Sequence, residues 1–274
     1  MQYRTLGRTG LRVSEIGYGG GRVRPDEDEG AVIRMLHHAF DLGLNFIDTA
    51  GTYGNGASET IIGKAVADRR DKCVIATKTK AIDPVGIIAD VEGSLKRLQT
   101  DVIDVLQFHG GWWSERVAVD EILDRGGLET YLKLQDQGKI RFTGFSADGP
   151  SGGVERMIAT GEFDMMQIHY NLMHQNTCDV FGGRGVIPDA VAQGMGIVLM
   201  RSTTSNLFQG LMQNCFPNEM QGVDLDSFLL NYALSNPMVN VALMSLKSIK
   251  DANWTNAVSD NVEGRFDLQT IHQR

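Results

Sequence analysis

Cysteine is scarce in this sequence: Cys73, Cys178 and Cys215 are the only three in 274 residues. Odd in number, widely separated and without a second ligand at metal spacing, they exclude a disulfide scaffold and argue against a zinc site. Long apolar runs are also missing. No stretch approaches the roughly 20 residues that span a bilayer, and the amino terminus, MQYRTLGRTGLRVSEIG, lacks the continuous apolar core of a signal peptide. Positive charge is outnumbered, with 26 Lys and Arg against 34 Asp and Glu and a net charge of −8. That balance opposes a general affinity for nucleic acid or an anionic membrane. With 42% hydrophobic residues, a chain of this length buries enough surface to hold a large core without disulfides or metals. No low-complexity linker interrupts it. A single domain over residues 1–274, in a reducing cytoplasmic compartment, is the expectation, and nothing in the pattern specifies an oligomeric state.

What the chain does have is a repeat of short apolar runs, each followed by a longer stretch with helical periodicity. The runs are 15–18, 44–47, 73–76, 102–108, 140–145, 163–168, 197–200 and 239–244. Segments such as 30–43, 89–100 and 127–138 carry apolar residues at three- and four-residue steps, and Gly43 and Gly138 stand where a helix C-terminus favours positive φ. Eight strand-then-helix units predict a (β/α)8 TIM barrel, with functional side chains at the C-terminal ends of the strands. The first residues break the pattern. Two short alternating runs around Arg8-Thr9-Gly10 read as an N-terminal β-hairpin outside the barrel. A doubly wound dinucleotide fold is disfavoured, because no boundary divides two halves. GYGGG (17–21) also fails the G-x-G-x-x-G spacing at Arg22. FGGRG (181–185) reads as an ordinary turn.

Asp48 ends the second predicted barrel strand, Lys78 follows the third, His109 ends the fourth, and Tyr53 lies just beyond Asp48. Singly, each has an ordinary structural explanation as a turn cap, a loop aromatic, a surface charge or a core histidine. Together they occupy corresponding positions on neighbouring strands. A phenol with a pKa near 10 is a poor acid at neutral pH, and an adjacent ammonium is expected to lower that value. Asp48 then holds Lys78 charged, and His109 offers a second hydrogen bond to an oxygen beside Tyr53. Such a group polarises a carbonyl and delivers a proton to it. None of these residues is a redox agent, so the electrons must come from a cofactor.

The blocks RTLGRTGLRVSEIGYGG (4–20), NFIDTAGTYGNGASETIIGKAV (45–66), IATKT (75–79), SLKRLQTDVIDVLQFH (94–109), QGKIRFTGFSA (137–147) and MQIHYNLM (166–173) make the chain resemble the aldo-keto reductase family. The resemblance implies a (β/α)8 barrel that reduces an aldehyde, ketone or sugar carbonyl, or oxidises the alcohol, with NADP as cofactor and NAD possible. It places Asp48, Tyr53, Lys78 and His109 in the family's catalytic tetrad, with Tyr53 as general acid. It also puts Ser146 and Gln167 at the nicotinamide amide, and Tyr170-Asn171 in the block that follows. Read from the residues themselves, Gly20 and its neighbours leave room at the mouth for substrate, and Trp112 and Trp113, in the GGWWSE segment (110–115) that follows His109, are expected over the pocket.

Later text departs from the family. Ala147 stands where Asn is common, and Met200 replaces the usual aromatic residue for stacking on the nicotinamide. Met200 packs softly on the ring and Arg201 reaches a cofactor phosphate, or else Met200 fills the barrel and Arg201 is a rim charge. Lys247 and Ser248 fall where a 2′-phosphate would be held, but Asp251 takes a position that often carries Arg or Gln. Two alternatives stand beside the enzyme, and these departures keep the first of them open. One is a cofactor-binding regulatory barrel with slow or vestigial chemistry. The other, with Lys78 as a Schiff-base nucleophile, is disfavoured because imine formation needs a neutral amine.

Overall fold

The computed structural model describes residues 1–110, 115–180, 182–204 and 206–272. Two short strands, β1 (Tyr3–Thr5) and β2 (Arg12–Ser14), form an antiparallel hairpin with Arg4 opposite Val13. Eight parallel strands then close into a barrel: β3 (Ile16–Gly19), β4 (Phe46–Asp48), β5 (Val74–Thr79), β6 (Ile103–His109), β7 (Ile140–Ala147), β8 (Met165–His169), β9 (Gly196–Met200) and β10 (Val241–Met244). Each strand pairs with its sequence neighbour, and β10 closes the ring against β3.

All eight expected strands are present, but several run further than the apolar pattern predicts. The third was expected to end at Ala76; β5 continues through Thr77, Lys78 and Thr79, all buried. Polar residues at the barrel mouth are sheltered by the protein, so an apolar run stops before the strand does. Glu15 was expected inside the first strand. It instead precedes β3 as a buried ion-pair hub.

The helices follow local rules. Glu29–Asp41 starts behind Asp28, whose side chain accepts the Ala31 N–H, and is followed by Gly43 at φ 99°. Pro84–Leu98 begins five residues before the expected segment. Pro84 suits the first helical turn, and Asp83 caps it by accepting the Gly86 N–H. Helices pack on the outer face of the barrel, against residues such as Ile47, Ile75 and Phe145. Inside the barrel, Phe46, Val74, Val105, Met165, Val198 and Val241 form the apolar filling, and Leu6 and Val13 of the hairpin pack against them. Phe46, Val74 and Met165 sit at or near strand starts, so the hairpin closes the end of the barrel opposite the mouth.

Glu15 ties this closed end to both termini. Its carboxylate accepts from Arg4 Nη2 at 2.8 Å, from Ser259 Oγ at 2.9 Å and from Arg265. Its side chain is 3% exposed, against 23% for Arg4 and 16% for Arg265. Removing one partner of a buried pair strands the other charges, so Glu15→Ala should lower unfolding free energy by about 3 kcal/mol, read by urea denaturation. The partial exposure of both guanidiniums holds the expected loss at the low end. An unchanged denaturation midpoint would place the hub outside the stabilising structure.

Candidate active site

Side chains alternate across a strand, so residues of one parity point into the barrel. In β4 that parity runs Phe46, Asp48; in β5, Val74, Ala76, Lys78; in β6, Val105, Gln107, His109. Gly144 and Ser146 of β7, Met165, Gln167 and His169 of β8, and Val198 and Met200 of β9 continue the pattern. Asp48, Lys78, Gln107 and Gln167 therefore sit one inward step beyond the apolar filling, and His109, Ser146 and His169 one step further. Parallel register carries the ring sideways: Lys78 pairs with Gln107, His109 with Ser146, Ser146 with Gln167, and His169 with Met200. Tyr53 reaches the same mouth from the turn Tyr53–Gly56, where Gly54, Asn55 and Gly56 all take positive φ.

The Lys78 ammonium is fully enclosed. It donates to both Asp48 oxygens at 2.7 Å and to the Thr49 carbonyl at 2.8 Å, matching its three donors. Burial alone would lower the pKa of Lys78, but the charges of Asp48 and Tyr53 reverse that and raise it. The lysine stays charged, which removes the neutral amine a Schiff base needs. Its Nζ lies 4.9 Å from the Tyr53 ring centroid, and the His109 ring meets Tyr53 edge-on at 5.6 Å and 85°.

One electrostatic expectation is corrected. Lys78 was expected to bring the Tyr53 pKa down; burial instead raises it above 10.0, with Lys78 opposing and Asp48 adding to the rise. Burial outweighs the ammonium's field, which Asp48 partly opposes, so Tyr53 is a neutral proton donor. His109 is pushed down to about 3 by burial, with Lys78 and Lys80 in the same direction, so its imidazole is neutral and has a single N–H. Its Nδ1 is buried without a hydrogen-bond partner.

Ser146 and Gln167 are buried side by side, with Ser146 Oγ only 3.4 Å from the Phe108 carbonyl. Gln167 Nε2 donates to Met200 Sδ at 3.7 Å, which leaves Gln167 Oε1 buried and unpaired. Met200 thus orients an amide at the mouth. Arg201 is an exposed rim residue at φ 55°, its carbonyl held by Asn171 Nδ2 at 2.8 Å. Tyr170, one residue before, is fully buried and stacks on Tyr232. Ser248 caps the helix Ile249–Asp260 by accepting the Asp251 N–H, and Asp251 returns a bond from the Lys247 N–H at 2.8 Å. Lys247 lines a cleft of about 640 Å³ with Gly19, Gly21, Arg22 and Arg24.

Gly20 faces elsewhere. A Cβ there would come within 2.4 Å of Ser58 Oγ, which makes Gly20 a packing contact behind the mouth, while Gly19 and Gly21 line the cleft. Trp112 and Trp113 lie outside the described residues, as does Phe181 of the expected turn. The remainder of that turn closes through the Asp179↔Arg184 bridge.

Two inward-facing residues were missed in the sequence. Gln107 is fully buried and donates to Asp48 Oδ1 at 2.9 Å. His169 is buried with Nε2 3.5 Å from Asp148 Oδ1; burial and Arg201 push its pKa down to about 4, against the pull of Asp148. The signal for both was parity: Gln107 stands two residues before His109, and His169 two after Gln167.

Both histidines are neutral when folded, yet take a proton on unfolding below the ordinary value of 6.5. Their contribution to stability is therefore complete above pH 6.5 and is lost as pH falls towards about 4 and then about 3. Unfolding free energy should drop between pH 7 and pH 5, and replacing both histidines by glutamine should shrink that drop. An identical drop in the double variant would show that other groups carry it.

A model of the aldo/keto reductase family matches residues 15–217. Aldo-keto reductase YhdN of Bacillus subtilis is 33% identical over 231 residues, covering 77% of this chain and 65% of that protein. The chain spans between about half and two thirds of the curated relatives first matched. Among solved structures, holo aldo-keto reductase AKR11C1 from Bacillus halodurans superposes with a TM-score of 0.78 at 21% identity, over 98% of this chain and 99% of that one. An aldo/keto reductase from Klebsiella pneumoniae, solved with NADP and acetate, gives 0.77 at 22% identity over 99% and 93%. These two likenesses bear on the fold.

Proposed function

The chain belongs to the aldo-keto reductase family, and from that premise we propose that it is an NADP(H)-dependent oxidoreductase. It interconverts a carbonyl and its alcohol, with Tyr53 as general acid for reduction and general base for oxidation. The observation that carries this reading is the enclosed Asp48–Lys78 pair set against a neutral Tyr53 and a neutral His109. Two hydrogen-bond donors of modest acidity then share one oxygen site. Lys78 stabilises the phenolate that remains after Tyr53 gives up its proton, and Asp48 keeps Lys78 from becoming the proton source itself.

The residues present fit a nicotinamide. Gln167 Oε1 is a buried acceptor without a partner, and Ser146 Oγ beside it holds only a long contact, so the pair presents an acceptor and a donor to a carboxamide. Bound there, the cofactor supplies the electron pair as hydride to the carbonyl carbon. Tyr53 supplies the proton to the oxygen, and His109 orients that oxygen through its one N–H. At the other end Lys247, with Arg22 and Arg24 in the same cleft, and Arg201 on the rim are cations available to phosphate groups. Ser248 and Asp251 are engaged in capping the helix. Lys247 is the residue this reading assigns to the preference for NADP over NAD, and the Klebsiella relative's NADP complex accords with that choice.

Tyr53→Phe keeps the ring and removes only the proton donor. Carbonyl reduction should fall by about 10² to 10⁴, while NADPH affinity, read by fluorescence titration, stays at the parent value. Near-parent turnover would overturn the assignment of the acid. Lys247→Ala should weaken NADPH more than NADH, since a 2′-phosphate forms charge-assisted bonds that a ribose hydroxyl does not. Equal losses would remove Lys247 from that role.

A further inference from the structure

We propose that Gln107 is a positioning residue for the proton transfer, setting how much of the Asp48 charge is felt by Lys78 and Tyr53. The proposal deepens the reading of Tyr53 as acid and rests on it. Gln107 lies on the inward parity of β6, opposite Lys78 in register, and is fully buried. Its Nε2 donates to Asp48 Oδ1 at 2.9 Å, an oxygen that also receives Lys78 at 2.7 Å. The amide can face a carboxylate only with its N–H₂ side, so Oε1 points away and is left buried without a partner. An unsatisfied buried carbonyl carries a desolvation cost that a leucine in the same space would avoid.

On the next strand the neighbour of this side chain is a glycine. The Gly144 position faces Gln107, and a Cβ there would lie 3.4 Å from Gln107 Cγ, 3.3 Å from Val105 Cγ1 and 3.0 Å from the Met165 carbonyl. The polar residue lies beneath the tetrad, where apolar filling is otherwise the rule. Its consequence is electrostatic. Asp48 receives two donors on Oδ1 and one on Oδ2. The amide dipole offsets part of the carboxylate charge, and it fixes the carboxylate plane so that both oxygens meet Lys78.

The groups around Tyr53 are Asp48 on β4, Lys78 on β5 and neutral His109 on β6, with Lys80 acting on His109. Asp48 raises the Tyr53 pKa and Lys78 lowers it. Without the Gln107 bond Asp48 presents more negative charge, so the Tyr53 pKa must rise. Gln107→Met matches the side chain in length but donates nothing. In alcohol oxidation with NADP, where Tyr53 acts as the base, the pH at which activity reaches half its maximum should move up by about half to one unit. An ultraviolet difference titration of the protein without cofactor should show the same upward movement in the phenolate signal that Tyr53→Phe removes. Gln107→Leu serves as the second variant, with thermal melts on both.

A shift of the pH profile in a folded variant supports the positioning role. A fall in turnover or melting temperature with both titrations unmoved overturns it and leaves Gln107 as filling. If Tyr53→Phe itself retains activity, the underlying reading has failed instead, and the phenolate titration still reports whether Gln107 acts on Asp48.

Discussion

Everything at the mouth of this barrel depends on one ion pair withdrawn from water. Lys78 and Asp48 have side-chain exposures of 0% and 3%, and neither charge survives alone in such a place without a large desolvation cost. The pair exists because β4 and β5 are adjacent, both residues share the inward parity, and the Thr49 carbonyl supplies the third acceptor that Lys78 needs. A shift by one residue in either strand would turn one charge into the helix layer and leave the other unpaired. Closure of the sheet, with the hairpin packed into its far end, prevents such a slip.

The pair also separates the protonation behaviour of its neighbours. One fixed cation and one fixed anion sit between groups that burial keeps neutral, so Tyr53 holds its proton and His109 does not gain one. In free solution a lysine beside a tyrosine would lower the phenol's pKa; here desolvation decides the sign, and the carboxylate opposes part of the lysine's effect. On the proposed reading this suits a proton donor that must not ionise before its substrate oxygen arrives. An NADP-linked carbonyl reduction needs such a donor, because the electron pair comes from elsewhere and only the proton is the protein's to place.

Much of this was legible in the residues, for reasons that also mark where legibility stopped. Alternating runs and helical segments located all eight barrel strands and the hairpin, because burial of apolar side chains is written directly as hydrophobicity. Strand ends were misjudged at Lys78 and Thr79, where burial is polar and paired. Asp48, Tyr53, Lys78 and His109 stood out by residue type at strand ends. Gln107 did not, since an amide within an apolar run carries no sign of its partner until the register is known. The direction of the Tyr53 shift was likewise hidden, because it turns on a balance of burial against two opposed charges that only geometry supplies.

Several of the departures from the family's usual text lie on the rim of the site, and that placement has an energetic consequence. Asp48, Lys78 and Gln107 are fully enclosed, so any change there strands a charge or an amide without solvent to answer it. Arg201, Lys247 and Asp251 are on the rim, where water compensates a lost contact and substitutions cost little. The changes there have settled into local structure. Met200 holds the Gln167 amide through sulfur, Asn171 pins the Arg201 backbone, and Asp251 closes a helix cap with Ser248 and the Lys247 N–H. Each replacement still leaves a cation or an acceptor facing the mouth. The centre of the site is thereby fixed by burial, whereas the rim is held by local contacts that water can replace.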